Sequence, residues 1–292
     1  MKTIVVGAID KYTWPQIEIW YYSLRLTGFK GDIYMLYYDI DPVTVETLEK
    51  YGILLRACER RRPQVVIDRF FDLNMLLTEF QEESWVIFAD VGDIVFQTNP
   101  EDFLAKVPAG KKLVTASEGI HFKDNRWTDK NLKDSFPEYY ETMREQTVYN
   151  AGTIAAHTNT FSNLALEIYD MCCQVPEARS HDQAAFNILL QKDYLERAHL
   201  VTANGGWAHM AASSSFANTT DRGGYTEKFP TIHGGQCITN NILPCMFHHY
   251  TRNPVTDRQV KRRILSNWSK LEEKEKPNEH IAISDFVSQG RG

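Results

Sequence analysis

The chain of 292 residues has 43% hydrophobic and 24% charged side chains, with 16 glycines and 11 prolines. This composition is typical of a soluble globular protein and excludes disordered, collagen-like and disulfide-scaffold classes. The 32 Lys and Arg residues against 38 Asp and Glu give a formal net charge of -6. Such a chain offers no long basic face to follow a phosphate backbone, so we expect no nucleic-acid partner.

The cysteine pattern predicts a cytoplasmic location. The five cysteines are odd in number and show no C-x-x-C spacing, which is typical of reduced thiols. Residues 1–10 carry one positive charge and a short apolar run that ends at Asp10, so they are predicted as a first strand and not as a secretory leader. No apolar stretch approaches the ~18 to 20 residues that a membrane span needs, so we expect none.

Apolar strands alternate with amphipathic helices in the first part of the chain. The predicted elements are a strand over 3–9, a helix through 17–24, a strand over 33–38, a helix beginning at 41–42, a helix over 67–80 and a strand over 85–88. This alternation predicts an α/β fold with a mostly parallel sheet flanked by helices. Ligands in such folds bind at the carboxyl ends of the strands.

The later elements are less regular. We expect a strand over 113–117, a strand over 148–156, a helix through 161–168, a helix opening on an S-x-x-Q capping box at 180–183, and a charged helix from 257. Residues 118–146 receive no assigned structure, and residues 203–245 are predicted to be mostly loops. We expect a single catalytic domain over 1–256 and a charged, helical C-terminal extension over 257–292.

The first candidate site lies at the end of the strand over 85–88. Asp90 and Asp93 are separated by Val91 and Gly92, and Gly92 permits a tight turn. Two carboxylates that converge at a strand end suit a hard divalent cation, which prefers oxygen ligands and can bridge to a diphosphate. Turn residues whose carboxylates cap backbone N–H groups would give the same pattern.

A histidine pair near the end of the predicted domain extends this hypothesis. One imidazole from His248 or His249, added to the two carboxylates, would make a site for Mn²⁺ or Mg²⁺. Two surface or core histidines are the alternative. Structural zinc is disfavoured because Cys245 has no second cysteine pair at ligand spacing.

Further polar residues stand at predicted element boundaries. Asn150 and Gly152 allow close approach of a ligand, although a loop turn explains them almost as well. Asp182 and Gln183 stand at a helix start, where both also have a capping role. Arg69, at the start of an apolar helix, could contact phosphate or orient a carboxylate.

The loop after the first strand offers a hypothetical base site. Tyr12 could stack on a nucleobase there, and Asp10 could accept a hydrogen bond from the base.

The order of these motifs resembles that of the GT-A fold glycosyltransferases that use a nucleotide sugar, and it is similar to the glycogenin-like retaining families. The resemblance covers residues 3–252. It implies a Rossmann-like, mostly parallel sheet and a donor that is a UDP-sugar more readily than a GDP-sugar. It also implies an Mn²⁺ (or Mg²⁺) cofactor and an acceptor that is a saccharide or a glycoprotein glycan.

The resemblance also implies residue roles. Asp90, Asp93 and His248 would bind the metal, with the acids also reaching the ribose or diphosphate. Asp182, Gln183 and Asn150 would be the catalytic group at the transferred sugar. The nucleotide-sugar contacts would come from Ala8, Asp10, Tyr12, Arg69, Asp90, Val91, Gly152 and Arg252.

Two departures from the family pattern bear on these roles. The acid motif is D-x-x-D where the family has D-x-D, so the division of work between Asp90 and Asp93 stays open. After His248 the family continues with Gly and Lys, whereas this chain has Arg252 as the next positive charge.

The residue types suit the chemistry of sugar transfer. Negative charge builds on the diphosphate as the C1–O bond breaks, so a cation and an arginine stabilise the leaving group. Inversion needs a carboxylate base near the acceptor hydroxyl, whereas retention by front-face departure does not; the resemblance favours retention.

Long segments over 118–146 and 203–235 are expected to set acceptor specificity.

Two other functions remain open from the sequence. A sugar nucleotidyltransferase would need a glycine-rich basic loop after the first strand, and residues 7–11 hold few glycines and one lysine. A carbohydrate-binding protein without catalysis would use aromatic side chains to stack on sugar rings.

Overall fold

A computed structural model describes residues 1–175, 181–214 and 225–275. Its strands are β1 (Thr3–Asp10), β2 (Asp32–Tyr38), β3 (Leu54–Ala57), β4 (Trp85–Ala89), β5 (Ile94–Phe96), β6 (Leu113–His121), β7 (Thr147–Tyr149), β8 (Thr153–His157), β9 (Ala198–Val201), β10 (Ala208–Met210), β11 (Thr231–His233), β12 (Gln236–Ile238) and β13 (Met246–His248). Its α-helices are α1 (Trp14–Leu26), α2 (Pro42–Lys50), α3 (Val65–Leu77), α4 (Pro100–Leu104), α5 (Arg126–Ser135), α6 (Tyr140–Met143), α7 (Thr158–Cys173), α8 (Asp182–Leu189) and α9 (Pro254–Glu275).

The central sheet has the strand order β3-β2-β1-β4-β8-β6-β7, and β9 pairs with β6. β1 lies parallel to β2 and β4, β2 lies parallel to β3, and β6 lies parallel to β9. β8 runs antiparallel to its neighbours β4 and β6, as does β7 to β6. The predicted α/β class with a mainly parallel sheet is therefore confirmed.

Helices cover both faces of the sheet. Because alternate side chains of a strand point to opposite faces, β1 contributes residues to a core on each side. Val5 and Ile9 of β1 belong to the core cluster that contains α1 and α9, and Ile4 and Val6 belong to the cluster that contains α3 and α7. This two-sided burial explains why β1 reads as a continuous apolar run.

Local signals place the first helices well. The side chain of Asp41 accepts a hydrogen bond from the backbone N–H of Thr44 at 2.9 Å, and Pro42 occupies the first turn, so α2 begins where a cap and a proline predict it. Helix α8 begins at Asp182 with His181 as its N-cap. The predicted cap residue Ser180 lies outside the described residues.

The predicted single strand over 148–156 is wrong. The chain instead turns at residues 150–152, between β7 and β8. Asn150 causes this turn, because its Oδ1 accepts a hydrogen bond from the backbone N–H of Gly152 at 2.9 Å. β7 then pairs with the extended end of β6, while β8 enters the central sheet.

The structure also supplies elements that the sequence left unassigned. Residues 118–146 contain the end of β6, two short 3₁₀ turns and helices α5 and α6. Within 203–245, predicted as mostly loop, lie the short strands β10, β11 and β12.

A second, three-stranded sheet of order β10-β13-β5 lies beyond the end of β4. In it, β13 runs antiparallel to β5 and pairs His248 with Ile94. Helix α9 packs against α1, where the ring of Trp268 stacks on Tyr22 at 4.3 Å. No helix among the described residues is both long and apolar enough to cross a membrane.

Candidate functional site

The candidate site forms where β4 ends and the chain turns into β5. Asp90 follows the last residue of β4, and Gly92 takes a φ of +99°, a conformation that favours glycine. The turn brings Asp93 to the start of β5. Because β13 pairs with β5 in register, the imidazole of His248 is placed beside both acids.

Asp93, His248 and His249 form a group whose candidate ligand atoms all lie within 4.8 Å of one another. The Nε2 of His248 lies 3.2 Å from Oδ1 of Asp93 and 3.6 Å from Oδ2 of Asp90. The Nε2 of His249 lies 3.8 Å from Oδ2 of Asp93. The structure therefore brings together the three predicted metal ligands and adds His249 as a neighbour.

The donor set fits a divalent metal. Nε2 of His248 is buried and has no partner with hydrogen-bond geometry among the described residues. A buried imidazole nitrogen that faces two carboxylates is chemically suited to Mn²⁺, which accepts oxygen and nitrogen ligands together. The same three groups would also hold Mg²⁺, but the imidazole nitrogen would contribute less because Mg²⁺ prefers oxygen ligands.

The charged residues of this group shift one another's pKa values. Burial alone would lower the pKa of His248, but the negative charges of Asp93 and Asp90 outweigh it and raise the pKa. Burial would raise the pKa of Asp93, but the neighbouring His248, His249 and Arg252 lower it to about 2. The carboxylate is thus held ionised, the form that binds a cation.

Arg69 ties two acids of the site together. From helix α3, its guanidinium donates to Oδ1 of Asp90 and, at 3.1 Å, to Oδ2 of Asp182 at the start of α8. The side chains of Arg69 and Asp182 are only 11% and 7% exposed. Burial raises the pKa of Asp182, and the Arg69 charge opposes that rise. Arg69 therefore orients the carboxylates and balances their charge in a poorly solvated place.

Gly152 packs directly against Asp90. The backbone N–H of Asp90 donates to the carbonyl of Gly152 at 2.9 Å. A Cβ added at Gly152 would lie 2.2 Å from Oδ2 of Asp90. Only glycine leaves room for the carboxylate here, which gives a physical reason for the glycine in the Asn-x-Gly sequence at 150–152.

A polar cavity of about 530 Å³ opens beside these acids. Its lining includes the predicted donor-binding residues Ala8, Tyr12, Arg69, Asp90 and Val91, together with Asp93. Its volume is in the range of about 300–1,000 Å³ that small-molecule sites occupy.

Of the predicted base-binding residues, Ala8 and Tyr12 line the cavity and Asp10 does not. The ring of Tyr12 lies over the Gly92 turn, and burial together with the Asp93 and Asp90 charges raises its pKa, so its hydroxyl stays neutral. Asp10 is engaged by Arg60, whose Nη2 donates to its Oδ1 at 2.5 Å. A base that contacts Asp10 would therefore meet an acid already paired with a cation.

The predicted catalytic amides form a second group. Nδ2 of Asn150 donates to Oε1 of Gln183 at 3.4 Å and to Oε1 of Glu118 at 2.9 Å. The other carboxylate oxygen of Glu118 accepts from the hydroxyl of Ser213 at 2.7 Å. Asn150 and Gln183 are thus neighbours, and Asn150 is also held by the buried acid Glu118.

Sequence reasoning missed Glu118 and Lys261. Glu118 directly follows the predicted strand over 113–117. The rule that ligands bind at the carboxyl ends of strands, here called the strand-end rule, selected Asp90 and could also have found Glu118. Lys261 lines the cavity from helix α9, with its Nζ 3.0 Å from Asp257, and no local motif marks it. Arg252 is exposed in the turn before α9 and does not belong to the cavity lining.

Comparisons with known proteins agree on the fold. No family model matches the chain, and no curated protein is similar to it in sequence. The apo form of the glycosyltransferase GlyE from Streptococcus pneumoniae TIGR4 matches with a TM-score of 0.57 at 16% identity, over 94% of this chain and 64% of GlyE. The chain therefore spans less than two thirds of GlyE.

Two further solved structures are similar. The galactosyltransferase LgtC, in complex with donor and acceptor sugar analogues, matches with a TM-score of 0.56 at 10% identity, over 91% of this chain and 95% of LgtC. The bifunctional glycosyltransferase WbbM matches with a TM-score of 0.52 at 13% identity, over 91% of this chain and 51% of WbbM. The chain thus has the GT-A glycosyltransferase fold that the order of its motifs predicted.

Proposed function

We propose that the chain is a metal-dependent glycosyltransferase that moves a sugar from a nucleoside-diphosphate sugar, a UDP-sugar in the first place, to a hydroxyl of a saccharide or glycan. The observation that carries the proposal is the convergence of Asp90, Asp93 and the buried imidazole of His248 beside a cavity with the volume of a small-molecule site. The GT-A fold supports sugar transfer in general.

The metal would be Mn²⁺ or Mg²⁺, held by Asp90, Asp93 and His248. When bound, it would stabilise the negative charge that develops on the departing diphosphate. The chain's own contribution to the same charge is electrostatic. Arg69 and Lys261 both line the cavity, so the site holds a buried arginine and an exposed lysine besides the metal.

We propose retention, and the state of the carboxylates supports it. Inversion needs a carboxylate free to take the proton of the acceptor hydroxyl. Among the described residues at the site, Asp90 and Asp182 both accept from Arg69, and Glu118 accepts from Asn150 and Ser213. Because these acids are engaged, we propose departure and attack on the same face of the sugar.

The remaining parts of the proposal concern the acceptor and the compartment. We propose that residues 118–146 contact the acceptor, because this segment begins at Glu118, which accepts a hydrogen bond from the proposed catalytic residue Asn150. The five free cysteines are consistent with a reducing, cytoplasmic compartment. We propose residues 1–256 as the catalytic domain.

The test compares donor binding with and without Mn²⁺. Thermal unfolding is measured for the wild type, for Asp93→Asn and for the matched control Asp134→Asn, whose exposed acid pairs with Lys130 away from the site. A donor at a hundred times its Kd adds about 2.7 kcal/mol to stability. We expect this gain for UDP-sugars with Mn²⁺ in the wild type and the control, and its loss in Asp93→Asn.

The same samples distinguish the alternatives. Nuclear magnetic resonance of donor hydrolysis reports the anomer released before it equilibrates, and we expect the donor's own anomer. Release of the opposite anomer would refute retention. If no nucleotide sugar stabilises the protein while free saccharides do, the chain is a carbohydrate-binding protein and the proposal fails.

A further inference from the structure

The C-terminal helix α9 and the end of α1 enclose a second cavity of about 350 Å³. It shares no described lining residue with the donor cavity. Arg263, Asn267 and Lys270 of α9 form its polar side. Its apolar side consists of Leu26, Phe96, Ile264 and Leu271.

Arg263 in this cavity lacks a partner. Its Nε and Nη2 are shielded from solvent, and neither has a hydrogen-bond partner among the described residues. Burial lowers the pKa of Arg263, and no acid among those residues offsets the shift. A guanidinium that is partly shielded from solvent without an acceptor carries a desolvation penalty, which the charge of a nearby anion would offset.

The neighbouring oxygens do not serve as that acceptor. Oγ of Ser23 accepts from the backbone N–H of Phe96 at 3.0 Å. Oε1 of Gln97 accepts from the backbone N–H of Cys237 at 2.8 Å. The lining contains no Asp or Glu among the residues that the structure describes. Two positive charges therefore face a cavity whose other polar groups are engaged or neutral.

We propose that this cavity binds a phosphate group. Arg263 lines the cavity with a guanidinium, a group whose planar set of N–H donors matches phosphate oxygens, and Lys270 supplies a second positive charge. The apolar side would contact whatever carries the phosphate. This site lies outside the proposed donor site and does not depend on sugar transfer.

The test is a titration of the full chain observed at Arg263 itself. The Nε–H resonance of Arg263 is identified by its loss in Arg263→Gln, and inorganic phosphate or hexyl phosphate is added at constant ionic strength. We expect the resonance to shift with saturation. Affinity at least tenfold higher for hexyl phosphate would identify an organic phosphate as the ligand, and equal affinity would identify free phosphate.

Two variants keep the proposal falsifiable without disturbing Arg263. Lys270→Gln removes an exposed cation of the cavity and is expected to weaken binding several-fold. Arg262→Gln removes the exposed neighbouring charge and is the matched control, for which we expect unchanged affinity. The proposal is overturned if neither phosphate shifts the Arg263 resonance, or if Arg262→Gln weakens binding as much as Lys270→Gln.

Discussion

Gly152→Ala probes the packing that holds Asp90 beside the other proposed metal ligands, Asp93 and His248. The new Cβ would lie 2.2 Å from Oδ2 and 2.6 Å from Cγ of Asp90. To restore van der Waals separation the carboxylate must move by about 1 Å. That movement breaks its hydrogen bond with Arg69 and takes Oδ2 away from its place 3.6 Å from His248.

The expected effect follows from the lost contact. Loss of a contact that orients a metal ligand typically costs about tenfold to hundredfold in metal affinity. We therefore expect Gly152→Ala to bind Mn²⁺ and donor at least about tenfold more weakly, as measured by calorimetric titration. Overpacking also lowers the free energy of unfolding, by about 1–3 kcal/mol.

A control separates the two effects. Gly205→Ala places a Cβ 2.5 Å from Cγ1 of Val201, a comparable side-chain clash that involves no carboxylate. We expect a similar loss of stability and unchanged metal affinity. On an Asp90→Ala background, Gly152→Ala should weaken Mn²⁺ binding no further. If it still does, the substitution acts by a route other than Asp90, and the reasoning is refuted.

Other predictions concern stability. Arg69→Gln leaves the buried Asp182 without its cation and should lower the free energy of unfolding in urea by about 3–5 kcal/mol; a loss below 1 kcal/mol would contradict the pairing. Burial lowers the pKa of His209 to about 4, so only the unfolded state takes up this proton as the pH falls from 6.5 to 4. The wild type should then lose up to about 3 kcal/mol over that range relative to His209→Gln, and parallel pH profiles would refute this. Trp268→Ala removes the stacking on Tyr22 and should cost about 2–3 kcal/mol, whereas unchanged thermal unfolding would show that α9 is held by other contacts.

The parts of the fold that the sequence predicted depend on local periodicity. β1, α1, β2 and α3 were predicted within a few residues because one strand or one helix buries its own apolar pattern. Asp90 was found for the same reason, since a buried strand ends directly before it. The strand-end rule needs no knowledge of tertiary contacts.

The errors arise where a side chain competes with backbone pairing. The apolar residues on both sides of Asn150 predict one strand, yet its amide oxygen accepts the Gly152 N–H and its amide nitrogen donates to Glu118. The second contact joins residues 32 positions apart in the chain. The local Asn-x-Gly pattern allowed a turn at this asparagine, but it could not show the contact with Glu118 that fixes the Asn150 side chain.

The histidines show a different limit. His248 joins the acids only because β13 pairs with β5 across a long stretch of sequence, a register that no short motif encodes. His249 then takes a left-handed φ of 59°, which brings its ring to 3.8 Å from the His248 ring. The motif order supplied by the family resemblance, and not the spacing, identified this imidazole.

Arg69 unites the two kinds of information. Its position in an apolar helix suggested either a phosphate contact or a carboxylate partner, and the structure places its guanidinium between Asp90 and Asp182. These acids come from the end of β4 and the start of α8, two elements that approach each other only in the folded chain. The buried guanidinium of Arg69 therefore couples the orientation of Asp90, a proposed metal ligand, to that of Asp182, the proposed sugar-binding acid. A substitution at Asp182 should then change the orientation of the Asp90 carboxylate, even though the two residues are 92 positions apart.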